Sequence, residues 1–295
     1  MIVPESRAHR ADRVRDQLSH DTSSVSKRVD RIPNENEMID WGLGHYEQTA
    51  SELEPVAEHV VSLTGLRPGE RVVDLATGTG NGALLAARLG AVVTGLDAAP
   101  RLIDVARERA TSEGVEASFV VGDVGALPFD DGAFDAALSV FGLIFAADPD
   151  RAFAEMIRVL GADGRAVISV WVPAGPIDAM VGIFGRAMAT ATGSSPNRFA
   201  WHDPEAVGEL AARHDAHVRV HDGRLSITAQ SADAYFAANE QLHPMSLAGR
   251  PVLERAGSYS KVREQAIAIL REGNEDPEAF RVSSPYRVIE VRRSS

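Results

Sequence analysis

The strongest constraint on the fold is a regular alternation of short apolar strands and helices between residues 71 and 172. The pattern predicts strands at Arg71–Leu75, Ala91–Leu96, Ser118–Val121, Phe134–Val140 and Arg165–Val172, with helices at Ala83–Leu89, Pro100–Ala110 and Asp150–Leu160. Strands that follow one another through helices lie parallel in one sheet with both faces covered. The sequence therefore predicts an α/β fold with a doubly wound, mostly parallel sheet.

After Pro173 the pattern changes and predicts a helical lid. The later elements are helices at Ile177–Ala191, Asp203–Arg213, Ala232–Leu242 and Val252–Glu272, one or two strands within Ala216–Ile227, and a last strand at Tyr286–Val291. Elements added late to an open α/β sheet usually cover the ligand crevice beyond the strand ends. We therefore expect residues 173–280 to enclose a ligand.

Composition predicts a charged arm followed by one domain. Residues 1–32 are rich in charged side chains, which is typical of an arm that is flexible or that docks on a partner subunit of a homodimer or higher homo-oligomer. Residues 33–295 are interpreted as a single domain. Its ligand-binding core spans 67–172, its lid elements span 173–280 with a strand at 216–227, and its last strand spans 286–292.

Charge and cysteine content exclude several classes of protein. The 295 residues contain no cysteine, which excludes a disulfide scaffold, a thiol nucleophile and a cysteine-ligated metal. A net charge of -12 disfavours nucleic acid as a partner. No apolar run approaches the roughly 20 residues that span a bilayer, and the charged N-terminus is unlike a secretory signal. We expect a cytoplasmic protein that does not insert into membranes.

A glycine-rich turn follows the first predicted strand and opens the next helix. Gly78, Gly80 and Gly82 allow close approach of a ligand, and the helix N-terminus offers unpaired amide groups to it. Gly78-x-Gly80-x-x-Ala83 also satisfies the dinucleotide fingerprint, with Asp97 placed 17 residues after Gly80. The turn by itself therefore leaves a nicotinamide cofactor open.

Acidic residues end three consecutive strands. Asp74 precedes the glycines and is predicted to point into the crevice, where it would repel a pyrophosphate and attract an ammonium group. Asp97 and Asp123 end the second and third strands. This arrangement suits a ligand that has an amino acid end, a ribose and an adenine amino group.

At these residues the chain resembles the class I S-adenosylmethionine-dependent methyltransferases, in particular the ubiquinone and menaquinone type and the natural-product enzymes. The resemblance is most specific in Asp74–Gly80, Gly95-Leu96-Asp97, Gly122-Asp123, Leu127-Pro128-Phe129 and Phe134-Asp135. It implies S-adenosylmethionine as cofactor. It also implies a Rossmann-like, mostly parallel seven-stranded sheet with an antiparallel last strand and a helical lid.

The resemblance assigns roles at the cofactor. Gly78 and Gly80 would meet the methionine part, Asp97 the ribose hydroxyls, and Asp123 with the Val124 amide the adenine edge. Ala76 replaces the first glycine of the usual Asp-x-Gly-x-Gly-x-Gly pattern. The implied cofactor-binding residues are Tyr46, Asp74, Ala76, Gly78, Gly80, Asp97, Ala98, Leu102 over the adenine ring, Asp123, Val124 and Ser139.

Methyl transfer from a sulfonium is an in-line displacement, so alignment can supply most of the rate and no metal is expected. His243 is the candidate general base, and Tyr46 is the second candidate for a catalytic role. Trp41, Phe141, Phe145, Trp201 and Tyr235 are predicted to bind the substrate, a small aromatic or apolar metabolite such as a quinone, an indole or another natural product. The sequence leaves carbon, nitrogen and oxygen open as the accepting atom.

Two other functions are compatible with the glycine turn. A nicotinamide-dependent oxidoreductase is disfavoured by Asp74 and by the lack of a Tyr-x-x-x-Lys pair. A protein that binds S-adenosylmethionine without catalysis is the second alternative. Methylation of RNA or protein is disfavoured by the acidic charge and by Ser139-Val140-Phe141-Gly142, which differs from an Asn-Pro-Pro-Tyr-like loop.

Overall fold

A seven-stranded sheet runs through residues 39–194 and 199–294, the part of the chain that the computed structural model describes. In chain order the strands are β1 (Arg71–Leu75), β2 (Val92–Asp97), β3 (Ser118–Val121), β4 (Phe134–Val140), β5 (Leu160–Trp171), β6 (Ala216–Ala229) and β7 (Phe280–Arg293). Their order across the sheet is β3-β2-β1-β4-β5-β7-β6. The first five are parallel, and β7 is antiparallel to β5 and β6. The predicted Rossmann-like sheet with an antiparallel last strand is confirmed.

Helices cover both faces of this sheet. Those before and between the first five strands are α1 (Tyr46–Glu52), α2 (Glu54–Thr64), α3 (Asn81–Arg88), α4 (Pro100–Glu113) and α5 (Pro149–Arg158). Those after β5 are α6 (Gly175–Thr192), α7 (Pro204–Arg213), α8 (Ala232–Leu242), α9 (Pro244–Arg255) and α10 (Tyr259–Glu272). None of the helices described is long and apolar enough to cross a membrane. The predicted arm, residues 1–32, and any subunit contact through it lie outside the described residues.

Local sequence fixes where the helices begin. Proline stands in the first turn of α4, α5 and α7, where its missing amide hydrogen costs no helical bond. Asp148 caps α5 by accepting a hydrogen bond from the Arg151 amide, and Asp203 caps α7 by accepting one from the Glu205 amide. These signals explain why the helix starts are close to the predicted ones.

The core has two layers because successive strand residues point to opposite faces. Val72, Val93 and Leu138 pack with α2, α3 and the later helices α6, α8 and α10 on one face. Val73 and Ile168 pack with α5 and α7 on the other, so α7, which was predicted as part of the lid, lies on the opposite face from the remaining lid helices. The carboxyl ends of β1 to β4 meet at one edge of the sheet, and this edge carries the predicted site.

Three predicted elements differ from the structure. The last strand, predicted at Tyr286–Val291, is longer, because β7 pairs with β6 from Phe280 to Arg293. The single helix predicted at Val252–Glu272 is instead α9 and α10, because the chain turns at Gly257 in a left-handed conformation. Strand β5 begins at Leu160, earlier than predicted: Phe134 pairs with Leu160 and Ala136 with Arg165, so residues 161–164 form an irregular insertion in the ladder. Gly161 and Gly164 in that insertion are typical of a loop, which is why the sequence predicts a later start for the strand.

Arg165 ties the connection between α2 and β1 to the middle of the sheet. Its guanidinium group contacts the Glu70 carboxylate at 2.7 Å and donates to the carbonyl oxygens of Thr64 at 2.5 Å and Gly65 at 3.1 Å. Its side chain is only 12% exposed. The pair is therefore poorly screened by water, and the loss of one partner leaves the other charge without compensation.

We expect Arg165→Met to lower the free energy of unfolding by about 2–4 kcal/mol, because Glu70 would keep its charge without a partner. The matched control is Arg71→Met, which removes an exposed pair with Asp135 and should cost no more than about 1 kcal/mol. Urea unfolding of both variants measures the difference. Equal costs would contradict the assigned role of Arg165.

Candidate functional site

The glycine turn brings three predicted residues to the carboxyl edge of β1. Ala76, Gly78 and Gly80 all have positive φ values, of 52°, 56° and 89°. A Cβ atom at Gly80 would lie 3.3 Å from that of Ala106, so packing fixes this glycine. A Cβ atom at Gly78 would meet only the Tyr46 ring, at 3.6 Å. Gly78 is therefore the turn position that faces the predicted site.

Asp97 binds the turn directly. Its Oδ2 accepts a hydrogen bond from the Gly78 amide and its Oδ1 accepts one from the Ala99 amide, both at 2.8 Å. Burial raises the pKa of Asp97, while hydrogen bonds from the backbone amides of Ala99, Gly78 and Ala98 oppose the rise. A carboxylate has about four acceptor positions, so acceptor capacity remains for a ligand.

Asp74 does not point into an open crevice as predicted. It is 1% exposed and lies beneath the turn, where its Oδ2 accepts hydrogen bonds from the Thr77 hydroxyl at 2.7 Å and the Ala83 amide at 2.8 Å. It thereby serves as a cap for α3, whose first residue follows Gly80. Its Oδ1 has no hydrogen-bond partner within the described residues. Burial raises the pKa of Asp74 to about 7.

The third acid stabilises its own turn. Asp123 is exposed, and its Oδ1 accepts a hydrogen bond from the Gly125 amide at 2.9 Å. The Gly122 amide donates to the Asp97 carbonyl oxygen at 2.9 Å, which keeps the ends of β2 and β3 adjacent. Val124 is partly buried beside Asp123.

Ala98 and Leu102 have opposite surroundings. Ala98 is exposed at the edge, directly after Asp97, whereas Leu102 is buried in the first turns of α4. Ser139 is fully buried at the end of β4. Its hydroxyl donates to the Leu75 carbonyl oxygen at 2.8 Å and accepts from the Leu143 amide at 2.9 Å. The prediction that Ser139 binds the cofactor is therefore corrected for its side chain, which holds two strand ends together.

Four predicted residues from three parts of the chain form one aromatic cluster. The Trp41 ring lies 5.6 Å from Tyr46, 4.7 Å from Phe145 and 6.1 Å from His243, between ring centres. Tyr46 and His243 are also 6.1 Å apart. Because Tyr46 contacts Gly78, the cluster borders the glycine turn. Burial and the nearby Asp97 charge both raise the pKa of Tyr46, so its hydroxyl stays protonated.

His243 is positioned as a helix cap and not as a base. Its Nδ1 accepts a hydrogen bond from the Met245 amide at 3.2 Å, at the start of α9. Burial lowers the pKa of His243 to about 4, so the ring is neutral near pH 7. With Nδ1 as acceptor, the proton is on Nε2. The ring therefore has no free acceptor for a substrate proton, which corrects the predicted role.

The other predicted substrate residues are core residues. Phe141 is 3% exposed and stacks on Trp171, with ring centres 3.8 Å apart. Trp201 belongs to the core beneath α7, on the face of the sheet opposite the lid helices. Tyr235 is buried against Phe280, with ring centres 5.4 Å apart. These three residues were predicted to bind substrate because their side chains are large and apolar, but in the structure each of them packs in the core.

Sequence reasoning missed Glu52, the last residue of α1. Its carboxylate is partly buried, makes no described hydrogen bond or ion pair, and acts electrostatically on Tyr235. Burial raises the pKa of Glu52 from 4.5 to about 7. An acidic residue at a helix C-terminus also opposes the helix dipole. The sequence carried no signal for this position, because the end of α1 at Glu52 is evident only in the structure.

Glu52 makes the stability of the protein depend on pH. Between pH 4.5 and about 7 the folded state holds a proton that the unfolded state releases, so the free energy of unfolding falls as the pH rises through this range. For a partly buried group we expect a fall on the order of 1–2 kcal/mol. Glu52→Gln should remove it, as measured by urea unfolding at a series of pH values.

The control is Glu58→Gln, which changes an exposed acid on α2. It should leave the pH dependence of stability as in the wild type. The raised pKa of Asp74 contributes a fall of the same sign, which both variants retain. If the free energy of unfolding of Glu52→Gln fell with pH as steeply as that of the wild type, the pKa of Glu52 would not be raised in the folded protein.

Comparisons with known proteins agree with this geometry. A family model described as a methyltransferase domain matches residues 73–168. The uncharacterised protein Mb1438c of Mycobacterium bovis is 34% identical over 188 residues, which are 63% of this chain and 69% of that protein. A demethylmenaquinone methyltransferase of Beutenbergia cavernae is 32% identical over 164 residues, 52% of this chain and 67% of that protein.

A similar solved structure is that of the YcgJ protein from Bacillus subtilis. It has a TM-score of 0.57 and 20% identity, and the match covers 81% of this chain and 98% of that one. At this identity it establishes the fold alone. The demethylmenaquinone methyltransferase relative and the domain match go further: together they show that this chain belongs to the class I S-adenosylmethionine-dependent methyltransferases.

Proposed function

We propose that S-adenosylmethionine lies along the carboxyl edge of β1 to β3, with its amino acid end at the glycine turn. The residues fit this group. Asp74 Oδ1 is a buried acceptor without a partner in the described structure, which an ammonium group would satisfy. Asp97 keeps acceptor positions for ribose hydroxyls, and Asp123 stands at the next strand end. Gly78 has no side chain to fill this space.

The bound cofactor supplies a methyl group activated by a positive sulfur, so the enzyme needs alignment more than a nucleophile of its own. Tyr46 is the residue best placed to align the reactants, because its ring contacts Gly78 and its raised pKa keeps the hydroxyl a donor. Asp97 adds negative charge beside it. Both residues act by position and charge.

We propose a small aromatic or apolar acceptor, of the quinone, indole or related natural-product class. The observation that carries this proposal is the aromatic cluster of Trp41, Tyr46, Phe145 and His243 beside the turn. Flat aromatic side chains favour flat aromatic ligands through stacking and apolar burial. The name of the Beutenbergia cavernae relative supports a quinone precursor in particular.

The first test addresses the cofactor. Asp97→Asn should weaken binding of S-adenosylhomocysteine by about 1–3 kcal/mol, which is roughly 5- to 150-fold, because charged hydrogen bonds to hydroxyl groups are lost. Isothermal titration calorimetry measures the dissociation constant. Asp131→Asn, an exposed acid paired with Arg158, is the control and should bind as the wild type does. An unchanged constant in Asp97→Asn would remove Asp97 from the site.

The second test addresses the acceptor. With methyl-labelled S-adenosylmethionine, we expect label transfer to hydroxynaphthoquinones, hydroxyindoles or phenols, and none to aliphatic amines of the same size. Transfer only to the amines would exclude the proposed acceptor class.

A further inference from the structure

Residues 40–47, called the strap here, run from the start of the described chain into α1 and touch both the core and the lid. On the core side, all three guanidinium nitrogens of Arg101 in α4 donate hydrogen bonds to the strap. Its Nε donates to the Gly42 carbonyl oxygen at 2.7 Å, and its terminal nitrogens donate to the two Glu47 carboxylate oxygens at 2.6 and 3.1 Å. Such a bidentate pair fixes direction as well as distance.

On the lid side, the strap passes unusually close to the end of α8. The His45 amide donates to the Leu242 carbonyl oxygen at 3.0 Å. Gly44 has a φ of +62°, and a Cβ atom there would lie 2.3 Å from the same Leu242 oxygen. Only glycine allows this approach. The strap is therefore in direct backbone contact with the junction between α8 and α9.

The strap also carries two of the rings beside the turn. Tyr46 contacts Gly78, while Trp41 lies against Phe145 and His243. His243 is the cap of α9. A ligand at Gly78 and Asp97 thus meets Tyr46, the strap leads from Tyr46 to Leu242, and α9 begins directly after this contact. The described residues form a continuous physical connection from the cofactor turn to the lid.

We propose that Arg101 is a positioning residue that holds the strap closed over the bound cofactor, so that the cofactor orders the α8–α9 junction before the acceptor binds. This inference rests on the cofactor position given under Proposed function. The two side chains of the Arg101–Glu47 pair are 35% and 34% exposed, and the pair lowers the pKa of Glu47. A pair screened to this extent is weak enough to open and close during turnover.

The strap position has one direct consequence for kinetics. If the strap covers the turn, release of S-adenosylhomocysteine requires that the Arg101–Glu47 pair open first. Loss of the pair then raises the dissociation rate more than it lowers the association rate. A residue that only stabilises the fold would change the unfolding midpoint and leave the dissociation rate alone.

The test compares Arg101→Met and Glu47→Gln with the full-length wild type. Stopped-flow tryptophan fluorescence measures S-adenosylhomocysteine dissociation, and hydrogen exchange measures the amides of residues 243 and 245–249 with and without it. We expect both variants to release the ligand about two- to fivefold faster, and to lose the protection that the ligand gives these amides. Arg101→Lys, which keeps the charge without the fork, should give an intermediate rate.

Arg71→Met is the matched control, since it removes another bidentate arginine–carboxylate pair, with Asp135. It should match the wild type in both measurements. If Arg101→Met does not fold, Glu47→Gln still decides the matter. Wild-type release and protection in Glu47→Gln would overturn the role of the strap. If Asp97→Asn binds as tightly as the wild type, the cofactor position itself fails, and the inference fails with it.

Discussion

The Asp97 carboxylate joins the end of β2 to the glycine turn, and the geometry of the site depends on this contact. One Asp97 oxygen accepts a hydrogen bond from the Gly78 amide, and the other accepts one from the Ala99 amide. These bonds hold the turn after β1 and the start of α4 at a fixed separation. Tyr46 then packs on Gly78, and Arg101, in the first turn of α4, reaches the strap. A carboxylate with reduced access to water makes these bonds stronger than exposed ones.

Much of the fold was predictable from the sequence because its signals are local. Strands β1, β3 and β4 have the predicted bounds, since apolar runs end at glycine, proline or acidic residues. The long helix predicted at Val252–Glu272 was wrong because one glycine broke a pattern that otherwise continues. The start of β5 was missed because strand pairing with Phe134 overrides a glycine-rich insertion.

Prediction of the site was weaker, for a physical reason. The residue type at a strand end shows that a polar side chain lies near the edge of the sheet. It does not show whether the polar atoms of that side chain are already hydrogen-bonded to backbone groups. Asp74 and Ser139 are at the predicted edge, yet one Asp74 oxygen already accepts from Thr77 and Ala83, and the Ser139 hydroxyl already bonds to the backbone of Leu75 and Leu143. Trp201 was predicted to bind substrate because an apolar segment that packs in the core looks the same in the sequence as one that lines a pocket. Trp41, Tyr46, Phe145 and His243 do come together, although only their contacts reveal His243 as a cap.

The carboxyl ends of β1 and β4 abut closely. Ala76 and Phe141 both have positive φ values, and a Cβ atom at Gly142 would lie 2.5 Å from the Ala76 Cβ atom. Neither strand end can accept a larger side chain without moving the backbone. Substitutions at the ends of β1 and β4 therefore have little freedom to change the acceptor preference of this enzyme. Changes of specificity should accumulate instead in the helices after β5, which can shift as units.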